Sequence, residues 1–318
     1  MTIKKFGQTV LLEVFGAGDE LVFSSDGLRV DFNIVNIPGF SRGTFKVWNL
    51  DDSTVKKIQH GERYCTLSVS QHDGPTYVLA DKFYVSNAFE QTVVPNSITS
   101  LFGYSAVKKN FLNKQVKTAV KNPTLKNILR QVKEVAKWDG EFIYNNFPAA
   151  TTSYAPPALA STRSGSVEGL LECLATHYHF KYFTIGKDIS LMYQPTAENI
   201  GQTDLSSVKD TVVINSDNLG AAPKIGAGSI NLNCNLDPLI IPTSIIDIGN
   251  IISVAPDIPD NKLQVSENYL KDALAGFTIY QVLTVVHEGS NFTGLWNTNL
   301  VGSSPTKGKS SPIRGWDM

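Results

Sequence analysis

Cysteine is scarce. Cys65, Cys173 and Cys234 are the three in the chain, far apart and without a Cys-x-x-Cys pair. That spacing excludes a disulfide framework or a zinc ribbon and fits folding in a reducing cytoplasm. Charge is scarce too, at 18% of 318 residues, against the ~25% usual in soluble chains. So little charge suits a protein that hides much of its surface in contacts. The formal net charge of −1 gives no global pull towards nucleic acid. No window reaches the ~18 apolar residues that a membrane span needs. Residues 1–7 are too short and broken an apolar stretch for a signal peptide, so the Asn291-Phe292-Thr293 acceptor pattern carries no weight. Walker, Gly-x-Ser-x-Gly and dinucleotide fingerprints are missing, and Gly16-Ala17-Gly18 lacks the third glycine and the helix such a loop needs.

Clusters that could carry chemistry are thin. His177 and His179, with Cys173 upstream, stand two apart and so do not share a helix face. They read as polar residues where a helix runs into a strand. Glu13, Asp19 and Glu20 supply carboxylates, but nothing sets two of them across a cleft. His287 reads as a structural histidine at a strand end. No catalytic residue, metal site or cofactor is expected.

What the sequence does have is alternation. Leu28, Val30, Phe32 and Ile34 alternate with Arg29, Asp31 and Asn33, the period of a half-buried strand. Pro38-Gly39 and Ser41-Arg42-Gly43 carry turn chemistry, and Phe45-Lys46-Val47-Trp48 alternates again, so a hairpin with a longer loop is expected. A short helix is expected over 51–58, capped by Asp51 or Asp52, with Val55 and Ile58 on one face. Strands follow over 64–70 and 77–85. This rhythm of short strands predicts a small barrel or sandwich over residues 1–105.

Residues 106–214 change character. Leu125, Ile128, Leu129, Val132, Val135 and Ala136 recur at helical spacing, with Asn122 as cap, Pro123 in the first turn and Gly140 as the stop. A strand over 141–144, a loop over 147–165, a helix carrying Val167, Leu170, Leu171, Leu174 and Tyr178, and a hairpin about Gly186-Lys187-Asp188 complete an α+β pattern. Residues 215–302 return to β: strands are expected over 230–236, 245–254 and 277–287, with a short helix over 267–275. The overall fold class expected is α+β, mainly β.

Charge is uneven along the chain. Residues 101–140 hold nine basic residues against two acids, and residues 195–272 hold ten acids against four bases. Lys108, Lys109, Lys114, Lys117 and Lys121 are therefore candidates for contact with an acidic neighbouring surface, the alternative being a solvated face. Residues 303–318 are rich in Ser, Pro, Lys and Gly. This extended tail cannot build a core and is expected to order on a neighbour, anchored by Ile313, Arg314 and Trp316.

Several blocks, taken in order, resemble the central hub proteins of phage tail baseplates. They are the strand over 28–34, Gly43-Thr44-Phe45-Lys46-Val47-Trp48-Asn49-Leu50 and the helix over 53–58. The helix over 124–138, the segment 166–193 and Leu219-Gly220-Ala221-Ala222-Pro223 follow. Leu236-Asp237-Pro238-Leu239-Ile240-Ile241-Pro242 and His287-Glu288-Gly289 with Trp296-Asn297-Thr298 close the series. The ordered series spans nearly the whole chain. It departs at Thr243, where the family often has Gly, and at Ser290, where it often has Asp.

The resemblance implies two antiparallel tube-type β-barrel domains, 1–105 and 215–302, with the α+β domain 106–214 inserted and the tail 303–318 following. It implies a homotrimer in the virion baseplate, assembled in the host cytoplasm, joining a sixfold tail tube to a threefold spike. Tail tube and spike proteins would be its partners, together with tape-measure and baseplate wedge proteins, and DNA would only pass through its channel. The role would be mechanical, not enzymatic. Two other readings are open: a cell-wall hydrolase, for which no segment of ~100 residues is left over, and a peripheral receptor-binding protein.

Overall fold

The structure is a computed structural model that describes residues 8–16, 18–24, 27–71, 74–119, 124–147, 162–194, 211–221, 223–226, 229–249 and 279–303. The chain divides into two compact units. The first comprises residues 1–194 and 286–297, the second residues 195–285 and 298–318.

The first unit opens with strands β1 (Gln8–Gly16), β2 (Asp19–Ser24), β3 (Val30–Ile37) and β4 (Phe40–Trp48). Helix α1 (Asp52–Gln59), then β5 (Tyr64–Gln71), β6 (Tyr77–Val93) and β7 (Asn96–Ser105) follow. The alternation seen in the sequence is the burial pattern: Val10, Leu12 and Val14 of β1 and Val30, Phe32 and Ile34 of β3 face the core. The strands lie in the order β3-β4-β7-β6-β5-β1-β2, and the last part of β17 (Ile279–Ser290) flanks β3 on its other side. All these strand pairs with a described register are antiparallel. The described pairings leave the order open, with no pairing that closes it into the expected barrel.

Two local expectations are corrected here. The β3–β4 connection is a two-residue turn, Pro38-Gly39, not a longer loop, since Ile37 pairs with Phe40. Gly39 takes a φ of 75°, and the turn sits so close to Tyr182 that a Cβ there would meet its hydroxyl at 3.3 Å. Ser41, Arg42 and Gly43 are strand residues of β4. Gly43 is needed because the Phe45 ring lies 2.5 Å from where a Cβ would stand.

Helix α1 starts as expected. Asp51 accepts from the Thr54 amide at 3.0 Å and from the Ser53 and Thr54 hydroxyls at 2.5 and 2.7 Å. Val55 and Ile58 are its buried face. At its other end, buried Arg63 donates to the carbonyls of Lys57 and His60 at 3.1 and 3.3 Å, placing a cation where the helix dipole is negative.

The α+β part of the first unit contains β8 (Gln115–Ala119), α2 (Leu125–Ala136), β9 (Phe142–Asn145), β10 (Thr162–Ser166), α3 (Val167–Tyr178), β11 (Phe180–Ile185) and β12 (Asp188–Tyr193). Leu125, Ile128, Leu129 and Val132 of α2 pack with Leu171, Leu174 and Tyr178 of α3 in one core. Each such side chain contributes about 1.5–3 kcal/mol by leaving water.

The boundaries differ from expectation at both ends of α2. Thr124 is the cap, accepting from the Asn127 amide at 3.3 Å, and the helix stops at Lys137 in the left-handed region, before Gly140. Trp138 turns back to stack on Phe111 of the π-helical turn Lys108–Leu112, with ring centroids 4.1 Å apart. Gly140 serves a close approach, since a Cβ there would stand 2.1 Å from the Lys187 carbonyl. Val135 is exposed and not part of the packed face. The stretch 147–165 was expected as a loop, but its residues 162–165 belong to β10, paired with β8. The rest of that stretch, apart from Phe147, lies outside the described residues, as do Asn122 and Pro123.

The second unit has strands β13 (Thr211–Val213), β14 (Lys224–Gly226), β15 (Ser229–Asn235) and β16 (Ile245–Asp247), with the remainder of β17 and most of β18 (Trp296–Ser303). Ile230, Leu232, Ile246, Ile248, Tyr280, Val282 and Leu300 form its core. β16 ends at Asp247, and the helix expected over 267–275 lies outside the described residues. The fold class is α+β and mainly β, as expected.

Candidate functional site

Three of the sequence blocks in the ordered series meet at Asp31. Its carboxylate accepts from Arg29 Nε at 3.0 Å and Nη2 at 2.8 Å, from Trp48 Nε1 at 3.1 Å and from Ser290 Oγ at 2.5 Å. Arg29 lies over the Trp48 ring, 4.0 Å from its centroid, and 5.2 Å from that of Phe292. Asn291 completes the link: its Oδ1 accepts from the Val30 amide and its Nδ2 donates to the Leu28 carbonyl, both at 2.8 Å. On the core side of β3, Phe32 meets Trp296 edge to face at 5.6 Å. A Cβ on Gly289 would stand 2.5 Å from the Phe32 ring. The His287-Glu288-Gly289 and Trp296 block is thus a clamp on β3.

Ser290 also explains a departure from the family pattern. A hydroxyl donates to Asp31, whereas a second carboxylate there would face a like charge. Thr243, the other departure, has a φ of 78°, a backbone region that β-branched residues avoid.

The basic candidates are largely engaged within the first unit. Lys108 pairs with Glu168 at 2.9 Å and lies 5.1 Å from the Phe40 ring centroid. Lys109 pairs with Glu62 and stands 3.6 Å from the Tyr84 centroid. Lys114 donates to the Ala136 carbonyl at 2.6 Å, closing the end of α2. Lys117 is exposed on β8. Lys121, Ile313, Arg314 and Trp316 lie outside the described residues.

A feature missed in the sequence is an aromatic rung across four strands: Phe15 on β1, Tyr64 on β5, Tyr84 on β6 and Tyr104 on β7. Their registers place them side by side, with centroids 6.1, 5.7 and 5.4 Å apart. Burial raises the Tyr104 hydroxyl above its ordinary range. Only the pairing registers bring these residues together, so no local pattern announces them.

Among the described residues, no three His, Cys, Asp or Glu side chains group as metal ligands. His179 caps α3 in the left-handed region, and His287 is 1% exposed. A cleft of about 380 Å³ opens between β10 and α3, lined by Ser164, Ser166, Leu170 and the exposed Cys173 among others. No helix among the described residues is long and apolar enough to cross a membrane.

No family profile and no curated protein matches the sequence. Solved structures do match the fold. A 43 kDa tail protein of prophage MuSo2 from Shewanella oneidensis aligns at a TM-score of 0.51 and 9% identity, over 94% of this chain and 98% of the other. A tail protein from Neisseria meningitidis aligns at 0.53 and 12%, over 94% and 97%. The E. coli c3393 protein aligns at 0.51 and 7%, over 92% and 76%; it is a component of the type VI secretion system with structural similarity to the T4 bacteriophage tail proteins gp27 and gp5. The chain therefore has the fold of these proteins; the likeness to phage tail proteins is the one the ordered sequence blocks led us to expect, and the likeness to a type VI secretion component is additional.

Proposed function

We propose that this chain is a structural component of a phage tail baseplate: the trimeric central hub that joins the sixfold tail tube to the threefold spike. The observation that carries the reading is the likeness of fold to tail proteins along nearly the whole of both chains. Three copies, each with two tube-type β domains, would present six similar units to the tube and three to the spike. The low charge of the chain agrees with a protein that covers much of its surface in assembly. Tube, spike, tape-measure and wedge proteins are the partners of this reading, the virion baseplate is its location, and DNA passes through the ring without being read. The work is mechanical, done by closed cyclic contacts.

A reconstruction of the particle that carries this chain tests the reading. Three copies on the tail axis, between tube and spike, are expected. Single copies, rings of six, or a place at the baseplate rim would overturn it, the last in favour of a receptor-binding role.

A further inference from the structure

Strand β6 is the longest described strand, and its two halves differ. Its first half, Tyr77 to Tyr84, pairs with β5. Beyond Tyr84 no described strand pairs with it on the β5 side, while its pairing with β7 runs on to Val93 and Asn96. Residues 86–93 are thus a sheet edge, and residues 89–93 are all exposed. Three observations fix which backbone groups lie on it. The Val85 amide still points to the β5 side, donating to the Arg63 carbonyl at 2.9 Å. The register then gains a residue between Val85 and Asn87, which moves the outward positions to even numbers. The Ala88 carbonyl accordingly accepts from Gln59 Nε2 of α1 at 3.3 Å. Lastly, Val93 and Asn96 flank the two-residue turn Val94-Pro95, so Val93, Gln91 and Phe89 turn their backbone groups to β7. Glu90 and Thr92 therefore present amide and carbonyl outward, and no described residue on the edge side bonds them.

The side chains of this edge divide by face. Phe89 and Val93, 44% and 43% exposed, stand on one face with Gln91 between them, and Phe89 stacks on Phe102 with centroids 5.4 Å apart. Glu90 stands on the other face, beside buried Thr99. It is the one charged residue of 86–93 and has no ion pair among the described residues. Segments of the first unit outside the described residues attach elsewhere. Residues 1–7 and 72–73 join strand ends near Tyr77, at the far end of β6. Residues 120–123 and 148–161 join the α+β part, and residues 17 and 25–26 are too few to form a strand.

We propose that this edge takes an extended segment of a neighbouring protein as an added strand, apolar at alternate positions and basic between them. The amides and carbonyls of Glu90 and Thr92 bond its backbone. Its apolar side chains extend the face of Phe89 and Val93, and a lysine or arginine between them stands beside Glu90. The α1 contact at Ala88 and the turn at Val94 limit the added strand to the stretch opposite residues 88–93, roughly 20 Å long. Charge selects against self-pairing of this sheet. Its edges in the first unit are β2, which carries Asp19 and Glu20, and the Glu90 stretch itself, and like charges side by side are unfavourable. This inference stands apart from the hub reading and does not need it.

Amide hydrogen exchange on the full chain, titrated with a synthetic peptide, is the test. The probe is an end-blocked heptapeptide of alternating valine and lysine. At about ten times its Kd it should slow exchange of the Glu90 and Thr92 amides about tenfold. The Phe89 and Gln91 amides, already turned to β7, should change little. A peptide with glutamate in place of lysine should bind several-fold more weakly, and Glu90→Lys should reverse that order. Thr92→Pro removes an outward amide, spares the pairing with β7 and should weaken binding about tenfold. Protection of β7 amides reports whether each variant stays folded. No binding of the lysine peptide, binding that leaves the Glu90 and Thr92 amides unprotected, or an order of affinities that Glu90→Lys does not change overturns the proposal. Protection of these amides without peptide overturns it equally. If independent of protein concentration, that protection assigns the edge to a segment of the same chain; if it grows with concentration, to a second copy.

Discussion

Ser290 donates its hydroxyl hydrogen to Asp31 across 259 positions of sequence, at 2.5 Å. Asp31 also holds Arg29 and the Trp48 indole, so one carboxylate ties a hairpin late in the chain to two early strands. The node is partly exposed, with side chains of Arg29 and Asp31 26% and 20% accessible, so its worth is that of screened but charge-assisted hydrogen bonds. Asp31→Asn should destabilise the protein by about 1–3 kcal/mol in urea unfolding. Ser290→Ala combined with it should cost less than the sum of the single changes. Additive costs would show that the two residues are not coupled.

Thr243 stands at a φ of 78° while its amide donates to the Val282 carbonyl at 2.9 Å. Thr243→Gly removes a Cβ from a region that β-branched residues avoid and keeps the hydrogen bond. It should stabilise the second unit by about 0.5–1 kcal/mol, the strain relieved exceeding the chain entropy that glycine adds. Thermal unfolding decides; a lower midpoint would show that the threonine is unstrained.

The Asp51 cap carries a pH signature. Hydroxyl hydrogen bonds from Ser53 and then Thr54 hold its carboxyl well below the ordinary carboxylate range. A folded pKa below the unfolded one means that the group stabilises above about pH 4 and that this stability is lost as pH falls through the folded value. Asp51→Ala should therefore be less stable than the natural protein at neutral pH. The gap should narrow on acidification below about pH 4. A gap independent of pH would mean that Asp51 acts without its charge.

The three thiols should separate by reactivity. Cys65 and Cys234 are buried, and desolvation pushes both thiols up, Cys234 to about 12. Cys173 is exposed at the cleft beside α3. A thiol reagent at neutral pH should label Cys173 in the folded protein, and all three in denaturant. Rapid labelling of Cys234 in the folded state would show that β15 opens readily.

Strand and helix identities were legible where one residue's neighbours decide them. Val30, Phe32 and Ile34 announce their burial by alternation, and Asp51 announces a helix by its place before Val55 and Ile58. The limits of α2 were not legible, because Trp138 leaves the helix to reach Phe111, a contact that no local pattern encodes. β10 escaped notice for the same reason. Its polar residues gain strand geometry only from β8, and the pairing joins Ser166 to Gln115 across the chain. At the candidate site, the blocks around Trp48 and Gly289 could be named from the sequence, but their meeting at Asp31 could not. Within the basic segment, the pairing of Lys108 with Glu168 and of Lys109 with Glu62 could not be read from the sequence, because those partners are close only in the fold.

The clamp on β3 has a consequence for the order of synthesis. β3 takes β4 on one side and the end of β17 on the other, and Asn291 satisfies the Val30 amide from 261 residues further on. At about 5–20 residues per second, a ribosome needs roughly 13–50 s to make that stretch. Throughout that interval β3 lacks its partner on that side, and a chain interrupted before β17 never gains it. Completion of the first unit therefore waits on residues 286–297, the late part of the chain that lies beside β3 and supplies Asn291.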